Sequence, residues 1–385
     1  MKIGLVASLV APIRPAEANG PHSVIVDLAR GLGRRGHDVT IYAAEGSVVD
    51  GSNVSEMGIE PEAAHGSIRA DGPVPTSALR ALRRGFERLY ARLRADEPDV
   101  VSQHAFDAAA IELAGDLSVL HTLHLAPMGD VVAAARATMA PLATVSHAAG
   151  QLWRDAGVPI RYVLPNGVPV RTVAHSAVVP RALIAGRVSP EKGTAVAIRV
   201  ARQCGLAPLV VGDVYDPDYF ARDVEPLLKP GEFIGPVTRQ HLFDLMAESA
   251  VLLMPVRWDE AFGLVAAEAQ MAGCPVVAYR RGALPEVVLD GIGGFLVEPE
   301  DEPGLVDACR RALGLDRRQI RDLAQRRLGV DEMIDAYARV LSSMGRARAA
   351  SSPRRLARRQ WHVPPAAVGG SPAMPSSTPH RPPRR

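Results

Sequence analysis

The feature that most constrains the fold is an alternation that runs through the chain twice. From Ile3 onward, short apolar segments alternate with loops marked by glycine or proline and with amphipathic helical stretches. Strands are expected at Ile3–Ala7, Val39–Ala43, Val100–Ser102, Leu120–Thr122, Leu142–Val145 and Arg161–Leu164. Helices are expected at Ser23–Leu32, Leu79–Ala95, Ala108–Ala114 and His147–Ala156. Such a pattern fits a parallel sheet covered by helices on both faces. After His175 it restarts, with strands at Arg181–Ala185, Leu209–Val211, Glu232–Ile234, Val251–Met254, Val276–Ala278 and Phe295–Val297. The helices there are Thr194–Cys204, Arg239–Glu248 and Pro303–Leu313, with a last one at Asp331–Leu341. The reading is α/β: two Rossmann-like, doubly wound domains, residues 1–168 and 169–330, joined near Pro165–His175. The segment 331–343 is expected to pack back on the first domain. Ligands of such sheets lie outside the carboxyl ends of the strands, so the site belongs in the cleft between the domains.

Charge supports a boundary near residue 345. Residues 346–385 hold nine arginines, eight prolines and no Asp, Glu or Lys. Of the 44 basic and 42 acidic groups in the chain, residues 1–345 therefore keep 44 − 9 = 35 and 42, a net charge of −7 with His neutral. A body of that sign is not built to coat itself with nucleic acid. The tail is too poor in apolar residues to offset its ordering entropy and is expected to be disordered; peripheral membrane association through it stays open. The scattered Cys204, Cys274 and Cys309 suit a reducing compartment and lack metal-ligand spacing. No apolar run approaches the roughly 20 residues of a membrane span. The expectation is a cytoplasmic protein, with the inner membrane face as an alternative.

Two segments could carry chemistry. Glu260-Ala261-Phe262-Gly263-Leu264-Val265-Ala266-Ala267-Glu268 follows the apolar run Val251–Pro255, placing Glu260 in a loop and Glu268 in a helix. Eight residues apart on a helix means about 80° of rotation and about 12 Å of rise. The pair cannot share a proton, but it can grip two parts of one elongated polar ligand. The other segment, Gly186-Arg187-Val188-Ser189-Pro190-Glu191-Lys192-Gly193, sits between a strand and a helix start. Glycines, helix N–H groups and two cations make a diphosphate cradle, without the Gly-Lys-Ser/Thr ending of a P-loop.

Together these segments resemble the family-four retaining glycosyltransferases of the GT-B fold. Also similar are Gly20 with Leu28–Leu32 and Arg35–Thr40, the segment Pro165-Asn166-Gly167-Val168, and Gly282–Val288 with Gly291–Val297, in matching order over residues 1–345. One departure is Gly20-Pro21, where the family shows paired glycines and proline has no N–H to offer a phosphate. The resemblance implies a hexosyltransferase-like enzyme moving a sugar from a nucleotide sugar, with UDP the commonest nucleotide, to a glycan, lipid or small-molecule hydroxyl. It implies retention of anomeric configuration with no cofactor and no metal. Arg187 and Lys192 would bind the diphosphate, Glu260 the sugar hydroxyls and Glu268 the ribose. Gly20, Gly186, Phe262, Gly263 and Leu264 would complete the donor site, and His124, in a segment similar to the family's Thr-x-His, would contact the sugar or acceptor.

Other readings remain at this stage. His104 and His147 also follow strands, but a structural histidine is the commoner outcome; His121 reads as core and Asp27 as surface. Loops Arg14–Gly20, Ala43–Asp71 and His124–Asp130 would shape the acceptor pocket. A nicotinamide dehydrogenase lacks its Gly-x-Gly-x-x-Gly turn after the first strand. An epimerase or phosphorylase of the same fold, and a non-enzymatic binder of nucleotide sugar or nucleic acid, are the remaining alternatives.

Overall fold

The computed structural model describes residues 1–14, 20–58, 74–172 and 177–351. The first unit carries strands β1 (Lys2–Val6), β2 (Asp38–Ala44), β3 (Asn53–Met57), β4 (Val100–Gln103), β5 (Val119–Leu123), β6 (Leu142–Thr144) and β7 (Ile160–Val163). They form one parallel sheet in the order β3-β2-β1-β4-β5-β6-β7. Helices α1 (Gly20–Arg34), α2 (Thr76–Asp96), α3 (Ala108–Glu112), α4 (Gly129–Ala137) and α5 (His147–Asp155) connect them. The second unit has β8 (Val179–Ala185), β9 (Ala207–Val211), β10 (Ser249–Met254), β11 (Val276–Tyr279) and β12 (Gly294–Val297). These pair in parallel in the order β12-β11-β10-β8-β9. Its helices are α6 (Thr194–Gln203), α7 (Pro217–Tyr219), α8 (Arg239–Glu248), α9 (Leu264–Met271), α10 (Leu284–Val287), α11 (Glu302–Ala312) and α12 (Arg317–Arg327).

The physical causes are local. In α1 the buried residues Val24, Ile25, Leu28, Ala29 and Leu32 recur at helical spacing and pack on Ile3, Leu5 and Ile41 of β1 and β2. Ser146 caps α5 by accepting from Ala149 N, and Thr238 caps α8 by accepting from His241 N. The final helix α13 (Val330–Ser351) returns to the first unit, where Met333, Ile334, Tyr337 and Leu341 are buried against the α1 face. The chain crosses between units at two strands of backbone that hold each other: Val168 N donates to Leu328 O and Val330 N to Val168 O.

Several expectations are corrected. Glu232–Ile234 forms no strand; Phe233 makes only an isolated bridge to Val210, and Gly231 and Gly235, both at positive φ, cut the run short. The edge strand β3 and helices α4 and α12 were not expected. The apolar pattern of β3 is too weak to read, with one buried residue, Met57. Only Ile320 and Ala324 are buried in the arginine-rich α12. Residues 346–351, assigned to the tail on composition, continue α13; residues 352–385 lie outside the described residues, as do 15–19, 59–73 and 173–176 of the expected loops and linker. No helix among the described residues is long and apolar enough to cross a membrane.

Candidate active site

Strand order locates the site before any side chain is considered. In each sheet the order reverses once, between β1 and β4 and between β8 and β10, and crevices at such reversals hold ligands. The chain leaving β8 begins with Gly186 and Arg187; that leaving β10 runs to Glu260. The two chemistry-bearing segments are therefore neighbours because β8 and β10 pair directly.

Between β8 and α6 the chain makes a single 3-10 turn, Pro190–Lys192, and Gly193 starts α6 at φ 71°. A Cβ there would lie 2.2 Å from Pro255 O, so only glycine lets the two strand-end loops approach this closely. Lys192 Nζ stands 2.9 Å from Glu260 Oε2, which also accepts from Trp258 Nε1 at 2.8 Å. The Arg187 guanidinium lies 4.6 Å from the Tyr215 ring centre and 5.7 Å from that of Trp258, and Lys192 Nζ 4.5 Å from Trp258. Arg187 also approaches Glu191 at 3.7 Å. The two cations are thus held beside aromatic faces that attract positive charge without neutralising it. Sequence reasoning missed Trp258 and Tyr215; an aromatic two residues before Glu260, in a chain with only 4% aromatics, was the available signal.

Glu260 and Glu268 part company as expected, one in the loop and one in α9. Gly263, at φ 92°, caps α9, with Phe262 buried just before it. Leu264 at the helix start reaches across to the first unit, where a Cβ on Gly20 would be 3.3 Å from its Cδ1. Glu268 is buried and accepts from Arg239 Nε at 2.7 Å. Arg239 Nη1 donates in turn to Asp27 Oδ2 at 2.9 Å. Asp27, read from sequence as a surface residue, is 11% exposed in its side chain and joins α1 to α8; helical periodicity puts it at a polar position, and its partner lies 212 residues away. Burial lowers the Arg239 pKa, and the two carboxylates more than offset this, leaving it raised.

The first sheet offers a different set at its reversal. His104 Nδ1 and His124 Nε2 share a hydrogen bond of 2.9 Å, and His104 Nε2 meets Ser102 Oγ at 2.9 Å. Both rings are buried. Burial pushes His124 down to about 4 and His104 well below its ordinary range, so both are neutral at pH 7. His121 is fully buried and bonded to Gln103. Asp107, following the same strand, has Oδ2 without a partner among the described residues, and burial followed by Asp130 pushes it up to about 7. His147 is exposed at the start of α5, and its N–H and that of Ala148 donate to Glu286 of the second unit at 2.9 and 2.6 Å.

Known proteins share the two-unit fold. Residues 18–172 match the family model described as Glycosyltransferase Family 4, and residues 179–314 the model described as Glycosyl transferases group 1. The chain belongs to glycosyltransferase family 4. It is 29% identical over 389 residues to D-inositol 3-phosphate glycosyltransferase of Xylanimonas cellulosilytica, a match that covers 84% of this chain and 92% of that one. AviGT4, a glycosyltransferase involved in avilamycin A biosynthesis, superposes with a TM-score of 0.64 at 23% identity, over 91% of this chain and 98% of its own. Anabaena HepE in complex with UDP and glucose superposes with a TM-score of 0.69 at 20% identity, over 89% and 100%. The fold of this family 4 glycosyltransferase is therefore GT-B, with two parallel α/β sheets of seven and five strands.

Proposed function

We propose that this glycosyltransferase moves a sugar from a nucleoside diphosphate sugar, UDP-linked in the first instance, to an acceptor hydroxyl with retention and without a metal. The observation that carries this reading is the convergence of Arg187, Lys192, Trp258 and Glu260 at the β8–β10 reversal, with Glu268 one helical turn into α9. Arg187 and Lys192 bind the diphosphate and stabilise the charge that develops as it leaves, a role in which preorganised cations supply much of the rate enhancement. That is also the work a divalent cation would otherwise do. Glu260, oriented by Lys192 and Trp258, holds sugar hydroxyls with its remaining acceptor capacity. Glu268 accepts from the ribose diol. Gly186, Phe262, Gly263 and Leu264 line the donor with backbone, Gly20 faces it from the first unit, and His124 offers a neutral imidazole to the sugar. The leaving phosphate takes the acceptor proton on the same face, so no carboxylate acts as nucleophile. The acceptor is a glycan, lipid or small-molecule hydroxyl compound.

A thermal-shift panel of UDP, GDP, ADP and their sugars tests the donor, because ligand at 100 times its Kd adds about 2.7 kcal/mol of stability. Stabilisation by one nucleotide series is expected; no response to any would sink the donor reading. An inverted anomer seen by NMR of the product, or transfer abolished by EDTA, would overturn the mechanism.

A further inference from the structure

Arg239 is the first residue of α8 in the second unit, yet its two ion-pair partners lie on different units. Its Nε holds Glu268 of α9 and its Nη1 holds Asp27 of α1, with all three side chains no more than 12% exposed. Nη2 is buried without a partner among the described residues. Arg171, half-buried nearby, has its pKa lowered by burial and then by Arg239. A cation shared by two buried carboxylates is costly to desolvate. It ties the units together in return: α8 cannot shift against α1 without breaking the Arg239–Asp27 pair, whose arginine also holds Glu268 through Nε.

We infer that Arg239 is a positioning residue, which holds Glu268 by one carboxylate oxygen for the nucleoside and, through Asp27, makes nucleoside binding depend on how the first unit sits against the second. The inference rests on the donor reading above, since Glu268 matters here only as a nucleoside contact. Arg239 occupies Oε1 and leaves Oε2 for a ligand hydroxyl. Without Asp27, Arg239 has a single partner and clasps Glu268 alone, in competition with the ribose. Without Arg239, Glu268 is a buried carboxylate with no brace. Both changes act on the nucleoside end of the donor, and neither touches the diphosphate cradle at Arg187 and Lys192.

The test measures, by isothermal titration, UDP, GDP, ADP and inorganic pyrophosphate on the full chain and on Asp27→Asn, Arg239→Gln, Arg239→Lys, the Asp27→Asn/Arg239→Gln double variant and Lys192→Ala. Asp27→Asn and Arg239→Gln should each weaken the preferred nucleoside diphosphate roughly tenfold, a size typical of coupling between sites. The double variant should lose little more than the worse single one, because the pair acts as a unit. Arg239→Lys should recover part of the loss, and pyrophosphate binding should not change in any of these four. A purely structural role would weaken both ligands together, and that result overturns the inference, as does wild-type nucleotide affinity in Asp27→Asn. If Lys192→Ala abolishes nucleotide binding while Asp27→Asn keeps it, only this inference falls. If the wild-type protein binds pyrophosphate but no nucleotide, the donor reading falls with it.

Discussion

At the carboxyl end of the first sheet, His104 and His124 share a hydrogen bond of 2.9 Å and neither is charged at neutral pH; at that of the second, Lys192 and Glu260 meet at the same distance as an ion pair. Both clusters sit where strand order reverses, so topology alone does not separate them. Exposure and aromatic support do. Lys192 and Arg187 keep part of their surface in water and rest beside Trp258 and Tyr215, which lets the chain keep two cations a few residues apart. The histidines are buried, where a charged ring would have no compensating partner. One end is built to hold charge, the other to present neutral hydrogen-bonding groups. That contrast fits the proposed reading of an anionic donor facing an uncharged acceptor hydroxyl.

The strongest way to break the comparison is to remove a cation. Lys192→Ala and Arg187→Ala should each lower transfer by about a hundredfold or more, the usual cost of losing a preorganised charge contact, while circular dichroism stays unchanged. Full turnover in either would mean that the second unit does not act through charge. On the neutral side the lever is pH. Burial pushes His121 down to about 4 from an ordinary 6.5. Its folded pKa is depressed, so its stabilisation is fully present above 6.5 and is lost as pH falls from 6.5 through about 4. The ceiling is about 3 kcal/mol. Thermal midpoints of the parent should drop across that window, and those of His121→Asn should drop less. Parallel profiles would show that the histidine does not titrate with folding.

Much of this was legible because it is local. The runs Ile3–Ala7 and Val251–Met254 announce strands, and the two motifs fall at the ends of β8 and β10 by simple adjacency in the chain. What the sequence hid depends on long-range partners. Asp27 and Arg239 each look like a solvated helix residue, and only the packing of α1 beside α8 makes them a pair. Helix α12 hides for another reason: five arginines and one aspartate in eleven residues obscure an apolar face of two. The edge strand β3 is read only against β2, which supplies its partners. His124 was expected at the sugar, and its burial beside His104 gives it a partner that spacing could not reveal.

Trp258 tests which part of the second unit's arrangement matters. Its ring faces both cations and its Nε1 donates to Glu260. Trp258→Phe keeps an aromatic face and removes the donor, leaving Glu260 held by Lys192 alone. A loss of about tenfold in kcat/KM is expected, comparable to one hydrogen bond to a charged group, and Trp258→Ala should lose more. Equal losses in the two variants would assign the whole effect to the hydrogen bond and none to the ring.

The smallest effect concerns another polar link between the units. Glu286 follows the start of α10 and reaches across to α5, where its two oxygens accept from His147 N and Ala148 N. A carboxylate at a helix N-terminus satisfies orphan N–H groups and meets the positive end of the dipole, which contributes up to about 1 kcal/mol when partly exposed. Glu286→Gln keeps one acceptor oxygen and loses the charge, so the thermal midpoint should fall by on the order of 2–4 °C at most. This link involves neither Glu268 nor the diphosphate cradle, unlike the one through Arg239. Its loss should therefore lower stability and leave nucleotide affinity alone. A Glu286→Gln variant that weakens nucleotide binding as much as Asp27→Asn would show that any loosening of the two units reaches the donor, and that Arg239 holds no special place in the coupling.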